Sequence, residues 1–287
     1  MNKIGFIGLG IMGESMCANL LKKRDEEILV YDLNEEKIEM MVKQGAVRAA
    51  SNQDLAAKAD IIISMVPKGE HVKAVYNEIA EELNEDKIWI DMSTINPAIS
   101  KDIAAEVKKK GSVMVEAPVV KSKSAAEAGT LGIYFGGDKE VYNQVKDLLL
   151  CMGENIIHLG DNGSGLMMKI CHNMLVGEVQ NAVNEMMTLA QKSDIEIDDF
   201  AKAISYGGGQ NFYLDAKAES IKNRDFSTAF SVENMNKDVN IAAEIKEDLN
   251  LNLPGIDLVK DVYQKAMEEN YGKEDFSASI KAVEKRL

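Results

Sequence analysis

Lys3-Ile4-Gly5-Phe6-Ile7-Gly8-Leu9-Gly10-Ile11-Met12-Gly13, answered further along by Asp32, is the stretch that decides the fold of the first half of the chain. The apolar run Lys3 to Ile7 reads as a strand, and it passes directly into a Gly-x-Gly-x-x-Gly turn that opens a helix. A second apolar run, Ile28 to Val30, leads to Asp32, nineteen residues beyond Gly13. Gly8 permits the tight strand-to-helix turn, Gly10 lets the backbone approach a pyrophosphate, and Gly13 lets the helix pack closely on the sheet. The N–H groups at the start of that helix, together with its dipole, favour phosphate. A carboxylate at Asp32 would accept hydrogen bonds from both adenosine ribose hydroxyls and repel a 2′-phosphate, so the expected cofactor is NAD rather than NADP. The expected cradle is Gly8, Leu9, Gly10, Ile11, Met12 and Gly13, with Asp32.

Outward from this motif, strand-like runs alternate with helical patterns. Ile4 to Gly8, Glu27 to Tyr31, Ile61 to Val66, Ile88 to Asp91, Ser112 to Glu116, Gly132 to Gly136 and Asn155 to His158 read as strands. The alternation predicts an α/β fold, a Rossmann-type doubly wound parallel sheet. From Gly163 onward helical spacing dominates, with polar joints near Ser193, Gly207 to Gly209, Asn223 to Asp225 and Pro254-Gly255, so an all-α C-terminal domain is expected. Asp161-Asn162-Gly163-Ser164-Gly165 supplies a turn and a helix start. The expected domains are therefore 1–163, binding NAD, and 164–287, serving substrate and oligomerisation.

Composition narrows the function classes. The chain has 287 residues, about two typical domains, and a net charge of -14, which disfavours nucleic acid as a partner. The first strand starts close to Met1 and no apolar run approaches about 18 residues. A cytoplasmic protein with no membrane partner is expected. Cys17, Cys151 and Cys171 are odd in number and lack Cys-x-x-Cys spacing, so neither a disulfide framework nor a metal site is implied.

The residues expected to carry chemistry lie on the helix that begins the second half, Gly163-Ser164-Gly165-Leu166-Met167-Met168-Lys169-Ile170-Cys171-His172-Asn173. Lys169 and Asn173 are four apart and share a face. A lysine on a helix rich in Met, Leu and Ile is poorly placed for solvation, and desolvation would favour the neutral amine that a proton acceptor needs. An amine snorkelling to the surface is the alternative. His71, His158 and His172 compete less well for the role, since none sits in a motif with a partnering carboxylate.

Together these stretches resemble the β-hydroxyacid dehydrogenase family, which includes 3-hydroxyisobutyrate dehydrogenase, tartronate semialdehyde reductase and 2-(hydroxymethyl)glutarate dehydrogenase. The resemblance runs over essentially the whole chain. It rests on Gly5 to Gly13, Met65-Val66-Pro67, Asp91-Met92-Ser93-Thr94-Ile95-Asn96-Pro97, Glu116-Ala117-Pro118-Val119, the Gly-x-Gly-x-x-x-Lys-x-x-x-Asn run ending at Asn173, and Lys237-Asp238. It implies an NAD-dependent oxidoreductase that interconverts a small 3-hydroxy acid and its semialdehyde without a metal. Lys169 would be the general acid and base and Asn173 would orient it or the substrate. Met65, Val66 and Pro67 would line the nicotinamide side, Thr94 would lie beside the nicotinamide ribose, and Lys237 would reach toward the cofactor. Ser93 would belong to the substrate site. Core packing for Met65, a helix N-cap for Thr94 and a surface position for Lys237 stay open as alternatives. An imine reductase and a noncatalytic NAD-binding protein on the same scaffold are the competing functions, and the presence of Lys169 argues against both.

One departure from the family pattern is informative. Members commonly continue Ala-Pro-Val with Ser-Gly-Gly, which holds the substrate carboxylate, whereas this chain continues with Val120-Lys121-Ser122. Val120, Lys121 and Ser122 are expected at the substrate, with Lys121 and Ser122 binding the anionic end of a molecule such as a dicarboxylate or a sulfonate, unless Lys121 points to solvent and the backbone binds instead. Met-rich faces with Met167, Met168, Met174, Met186 and Met187 suggest association, and the resemblance implies a homodimer or homotetramer.

Overall fold

A computed structural model of the protein describes residues 3–285. It divides into two compact units, Met1–Lys169 and Ile170–Leu287. The first unit runs β1 (Ile4–Ile7), α1 (Gly13–Lys23), β2 (Ile28–Tyr31), α2 (Glu35–Val42), β3 (Val47–Arg48), α3 (Asn52–Lys58), β4 (Ile61–Ser64), α4 (Gly69–Ile79), β5 (Ile88–Asp91), α5 (Pro97–Lys109) and β6 (Val113–Glu116). It continues with β7 (Val119–Val120), α6 (Lys123–Ala128), β8 (Leu131–Phe135), α7 (Lys139–Leu149), β9 (Gly153–His158) and the start of α8 (Ser164–Lys192).

Strands β1 to β6 form a parallel sheet in the order β3-β2-β1-β4-β5-β6, with Ile4 in register with both Ile28 and Ile61. Alternation at period two sorts the apolar side chains onto two faces. Phe6, Val30, Ile63, Ile90 and Val115 pack in one buried cluster with Met16, Cys17 and Leu20 of α1. Ile7, Leu29, Ile62, Trp89 and Met114 pack in another with Leu55 of α3, Val72 of α4 and Ile103 of α5. Helices thus cover both faces, as near-continuous apolar strands require. The doubly wound sheet and the helical C-terminal region are as the sequence pattern predicts.

The last two strand-like runs do not extend this sheet. Ala117-Pro118 follows β6, and proline has no N–H with which to continue a ladder. The chain then re-enters as β7, antiparallel to β8, which pairs in parallel with β9 to make a separate three-stranded sheet. Reciprocal Glu116–Gly136 backbone hydrogen bonds, each 2.9 Å, link the two sheets. The two-residue strands β3 and β7 are too short to leave a periodic signal.

The boundary between units falls inside α8, after Lys169, five residues past the polar turn at Asn162 to Ser164. Leu166, fully buried, belongs to the apolar cluster beneath the parallel sheet, so the first turns of α8 pack as part of the α/β unit. The second unit holds the rest of α8 with α9 (Ile197–Ile204), α10 (Phe212–Lys222), α11 (Val232–Asp248), α12 (Pro254–Glu268), a 3₁₀ turn at Phe276–Ala278 and α13 (Ser279–Glu284). Its core gathers Met187, Leu214, Val232, Met235, Val239, Val259, Tyr263 and Ile280. Buried amides pin the helices within it. Gln180 donates to the Phe276 carbonyl at 2.6 Å and to Ser279 Oγ at 2.5 Å, and accepts from the Tyr263 hydroxyl. Asn184 donates to Ser279 Oγ at 3.1 Å and accepts from the Tyr213 hydroxyl at 3.1 Å. Among the described residues no helix is long and apolar enough to cross a membrane. No cluster of His, Cys, Asp or Glu among them could hold a metal ion.

Candidate active site

The turn after β1 has the geometry its glycines imply. Gly8 takes φ +93°, and a Cβ there would lie 2.3 Å from the Met65 carbonyl oxygen. A Cβ on Gly13 would lie 2.0 Å from the Gly8 carbonyl oxygen, whereas one on Gly10 would meet nothing within 4 Å. The turn is therefore packed below and open above, where backbone must approach a ligand. Met12 occupies the N-cap of α1 and has no side-chain cap bond, so the cap does not compete for the first N–H groups of the helix. Asp32 accepts from the Leu9 N–H at 2.6 Å and from the Asn34 N–H at 2.7 Å, tying the end of β2 to the glycine turn. These residues fit a dinucleotide. Lys37 and Arg48, cations on α2 and β3 beside β2, are paired with Glu14 and Glu35.

Buried polar groups gather at the carboxyl ends of the next strands. Trp89 donates through Nε1 to Ser64 Oγ at 2.8 Å, and Ser64 and Ser93 each donate to Asp91 Oδ1 at 2.7 Å. Ser93 Oγ in turn accepts from the Val66 N–H at 2.9 Å. Ser93, expected at the substrate, is thus fully buried, with its hydroxyl committed beneath the Met65-Val66-Pro67 segment. Met65 is half-buried against the core of the unit, and its N–H donates to the Ile7 carbonyl at 2.9 Å. The cap of α5 is Asn96, which accepts from the Ala98 N–H at 2.9 Å, so the capping alternative for Thr94 does not hold; Thr94 stays half-buried ahead of it.

At the start of the second sheet, Val120 is buried and Lys121 adopts φ +83°, a left-handed conformation that favours glycine. The Lys121 amine donates to the Thr130 carbonyl and to Glu154, each at 2.7 Å. Its charge therefore rests in an exposed ion pair rather than in open solvent. The Ser122 and Ser124 hydroxyls, both exposed, are hydrogen-bonded to each other at 2.7 Å.

On α8, Lys169 is only 9 % exposed, so its side chain is withdrawn from bulk water. Asn173, one turn on, is buried as well and donates through Nδ2 to Asp238 Oδ2 at 2.6 Å. Lys237 lies 3.1 Å from the other oxygen of Asp238. The helical unit thus joins Asn173 and Lys237, which the sequence reading treats separately, through an acid it quotes without assigning a role. Asp238 is 4 % exposed. A signal was available, because Val232, Met235, Val239 and Ala242 mark the buried face of α11 and Asp238 falls at the same spacing. A carboxylate on an apolar helix face implies a buried partner.

Comparison with known proteins agrees with this architecture. Residues 3–160 match the NAD binding domain of 6-phosphogluconate dehydrogenase. Residues 163–283 match the domain described as NAD-binding of NADP-dependent 3-hydroxyisobutyrate dehydrogenase. The chain is 33 % identical over 286 residues to 2-(hydroxymethyl)glutarate dehydrogenase of Eubacterium barkeri, covering 98 % of this chain and 95 % of that protein. It is 31 % identical over 287 residues to 3-sulfolactaldehyde reductase of Escherichia coli (strain K12), covering 99 % and 96 %. The solved structure of Mycobacterium tuberculosis 3-hydroxyisobutyrate dehydrogenase with L-serine superimposes with a TM-score of 0.92 at 28 % identity, covering 99 % of each chain. With both halves matched in order and relatives aligned nearly end to end, the chain belongs to the β-hydroxyacid dehydrogenase family, whose members are NAD(P)-dependent oxidoreductases of hydroxy acids.

Proposed function

We propose that the protein is an NAD-dependent dehydrogenase that interconverts a small 3-hydroxy acid and its semialdehyde, with Lys169 as general acid and base. The observation that carries this reading is the lysine withdrawn from water on α8, one turn from an asparagine whose amide is held by a buried acid. When bound, NAD supplies or accepts a hydride at its nicotinamide ring. In the oxidation direction Lys169 takes the hydroxyl proton of the substrate, and in reduction it returns a proton to the developing alkoxide. As an ammonium it also stabilises that negative charge, more strongly in a site poor in water than in bulk. Asn173, held through Nδ2, presents its carbonyl oxygen to Lys169 or to the substrate. Lys237, paired with Asp238, is the cofactor-facing cation of this reading.

The glycine turn, Asp32, the Met65–Pro67 segment and Thr94 hold the cofactor, with Ser93 supporting Val66 from below. Asp32 at the end of β2 favours NAD, and a 2′-phosphate would meet its carboxylate while Lys37 and Arg48 are already neutralised. Lys121 and Ser122 meet the anionic end of the substrate, the lysine exchanging Glu154 for it. The reading also places the chain in the cytoplasm as a homodimer or homotetramer. Leu175, Met186 and Leu189, exposed apolar residues on α8, support association, while Met174 and Met187 are buried in the core of their own unit.

The test is oxidation of NADH and NADPH against methylmalonate, tartronate and succinate semialdehydes, 2-formylglutarate and sulfolactaldehyde. Turnover of at least one with NADH preferred is expected, and a flat response across the panel would overturn the reading. Lys121→Ala should raise KM for the best substrate; an unchanged KM for every panel member removes Lys121 from the site.

A further inference from the structure

The acid at the end of β6 has no part in the chemistry above, yet it is fully buried and hydrogen-bonds to α5, to α8 and to Gly136 after β8. Through its backbone, Glu116 makes the reciprocal bonds to Gly136 that link the two sheets. Through its side chain it accepts from the Leu166 N–H at 3.0 Å and from Ser100 Oγ at 2.9 Å. Leu166 lies in the first turn of α8, where N–H groups have no partner within the helix, so Glu116 caps α8 from another strand. Glycines close the junction. A Cβ on Gly136 would lie 2.5 Å from Glu116 Oε1 and 2.8 Å from the Gly165 N, and one on Gly165 would lie 2.4 Å from the Tyr134 carbonyl oxygen. The helix start is thus seated on the β8 backbone and held there by one carboxylate. Burial pushes the Glu116 carboxyl above the usual carboxylate range, and the Leu166, Gly163 and Ser100 hydrogen bonds pull against that rise.

We propose that Glu116 is a positioning residue that fixes the first turn of α8 and thereby the height of Lys169, about one turn beyond Leu166, at the carboxyl edge of the sheet. The inference rests on the proposed role of Lys169. A shift of the helix by a fraction of an ångström would displace the amine from the reacting oxygen while leaving the glycine turn and Asp32 untouched.

The test uses the full-length enzyme with the fastest semialdehyde of the panel. Glu116→Met keeps the volume and removes the acceptor; it is expected to lower kcat about 10- to 100-fold with KM for NADH within about twofold. Glu116→Gln, whose amide oxygen can still accept from Leu166, is expected to restore kcat to within about threefold of wild type. Should the methionine variant fail to fold, Ser100→Ala, which removes one donor to the same carboxylate, is expected to lower kcat about two- to fivefold at unchanged KM. Amide hydrogen exchange over residues 164–170 supplies a readout independent of turnover, and it should rise at least about tenfold in Glu116→Met. Full kcat in that variant, or equal losses in the Met and Gln variants, would overturn the proposal. Retained turnover in Lys169→Ala would overturn the parent reading instead.

Discussion

The α/β unit and the helical unit both bury polar side chains, but they put them in different places. In the α/β unit Ser64, Asp91, Ser93 and Glu116 sit at or just past the carboxyl ends of strands, around the edge where a doubly wound sheet takes its ligand. In the helical unit Gln180, Asn184, Tyr263 and Ser279 lie inside the bundle and satisfy one another. The first arrangement shapes a loop and a helix start. The second specifies how helices dock, since each group left alone would cost about 1–3 kcal/mol.

The sharpest way to break this contrast is at Lys169. Lys169→Ala should lower kcat about 10²- to 10⁴-fold while leaving NADH affinity within about twofold, measured by stopped-flow turnover and fluorescence titration. Next in size is Asp32→Ala, which removes the acceptor for Leu9 and the proposed ribose partner. About 10- to 100-fold weaker NADH binding is expected by the same titration, and undiminished affinity would detach Asp32 from the cofactor. Within the bundle, Gln180→Leu removes the amide acceptor of the Tyr263 hydroxyl and one of the two donors to Ser279 Oγ. It should cost about 2–3 kcal/mol by urea unfolding and leave NADH affinity unchanged, so a selective loss of binding would erase the proposed distinction.

The smallest effect is a pH dependence. Because burial raises the Glu116 carboxyl in the folded protein, the native state holds that proton more tightly than the unfolded chain does. This contribution to stability is complete below the unfolded-state value and is lost as pH rises through the raised folded value. Wild type should therefore lose stability relative to Glu116→Gln over that window, in parallel urea titrations. A difference that stays constant with pH would mean that the carboxyl titrates alike in both states.

How far the sequence revealed this follows the range of the interactions. The glycine turn, β1 and Asp32 lie within thirty-two residues, and their spacing alone conveys the strand, the turn and the helix. Short apolar strands announce themselves as uninterrupted runs, and amphipathic helices by period. Interactions that span the chain do not. Asn173 and Asp238 are 65 residues apart, Leu166 and Glu116 are 50 apart, and Lys121 and Glu154 are 33 apart. No local pattern specifies such pairings. The departure of β8 and β9 into a second sheet is hidden for the same reason, because strand propensity does not say which neighbour a strand chooses. Thr94 and Asn96 show the opposite case, two capping candidates so close together that only geometry separates them.

The order of strands has a consequence for synthesis. β1 is made before both of its neighbours in the sheet, β2 and β4, and the floor of the glycine turn is the backbone at Met65. A chain that ends before Met65 holds the whole glycine motif in its sequence but lacks the backbone that forms the floor of the turn, so stabilisation by a bound dinucleotide is expected only once β4 has paired with β1.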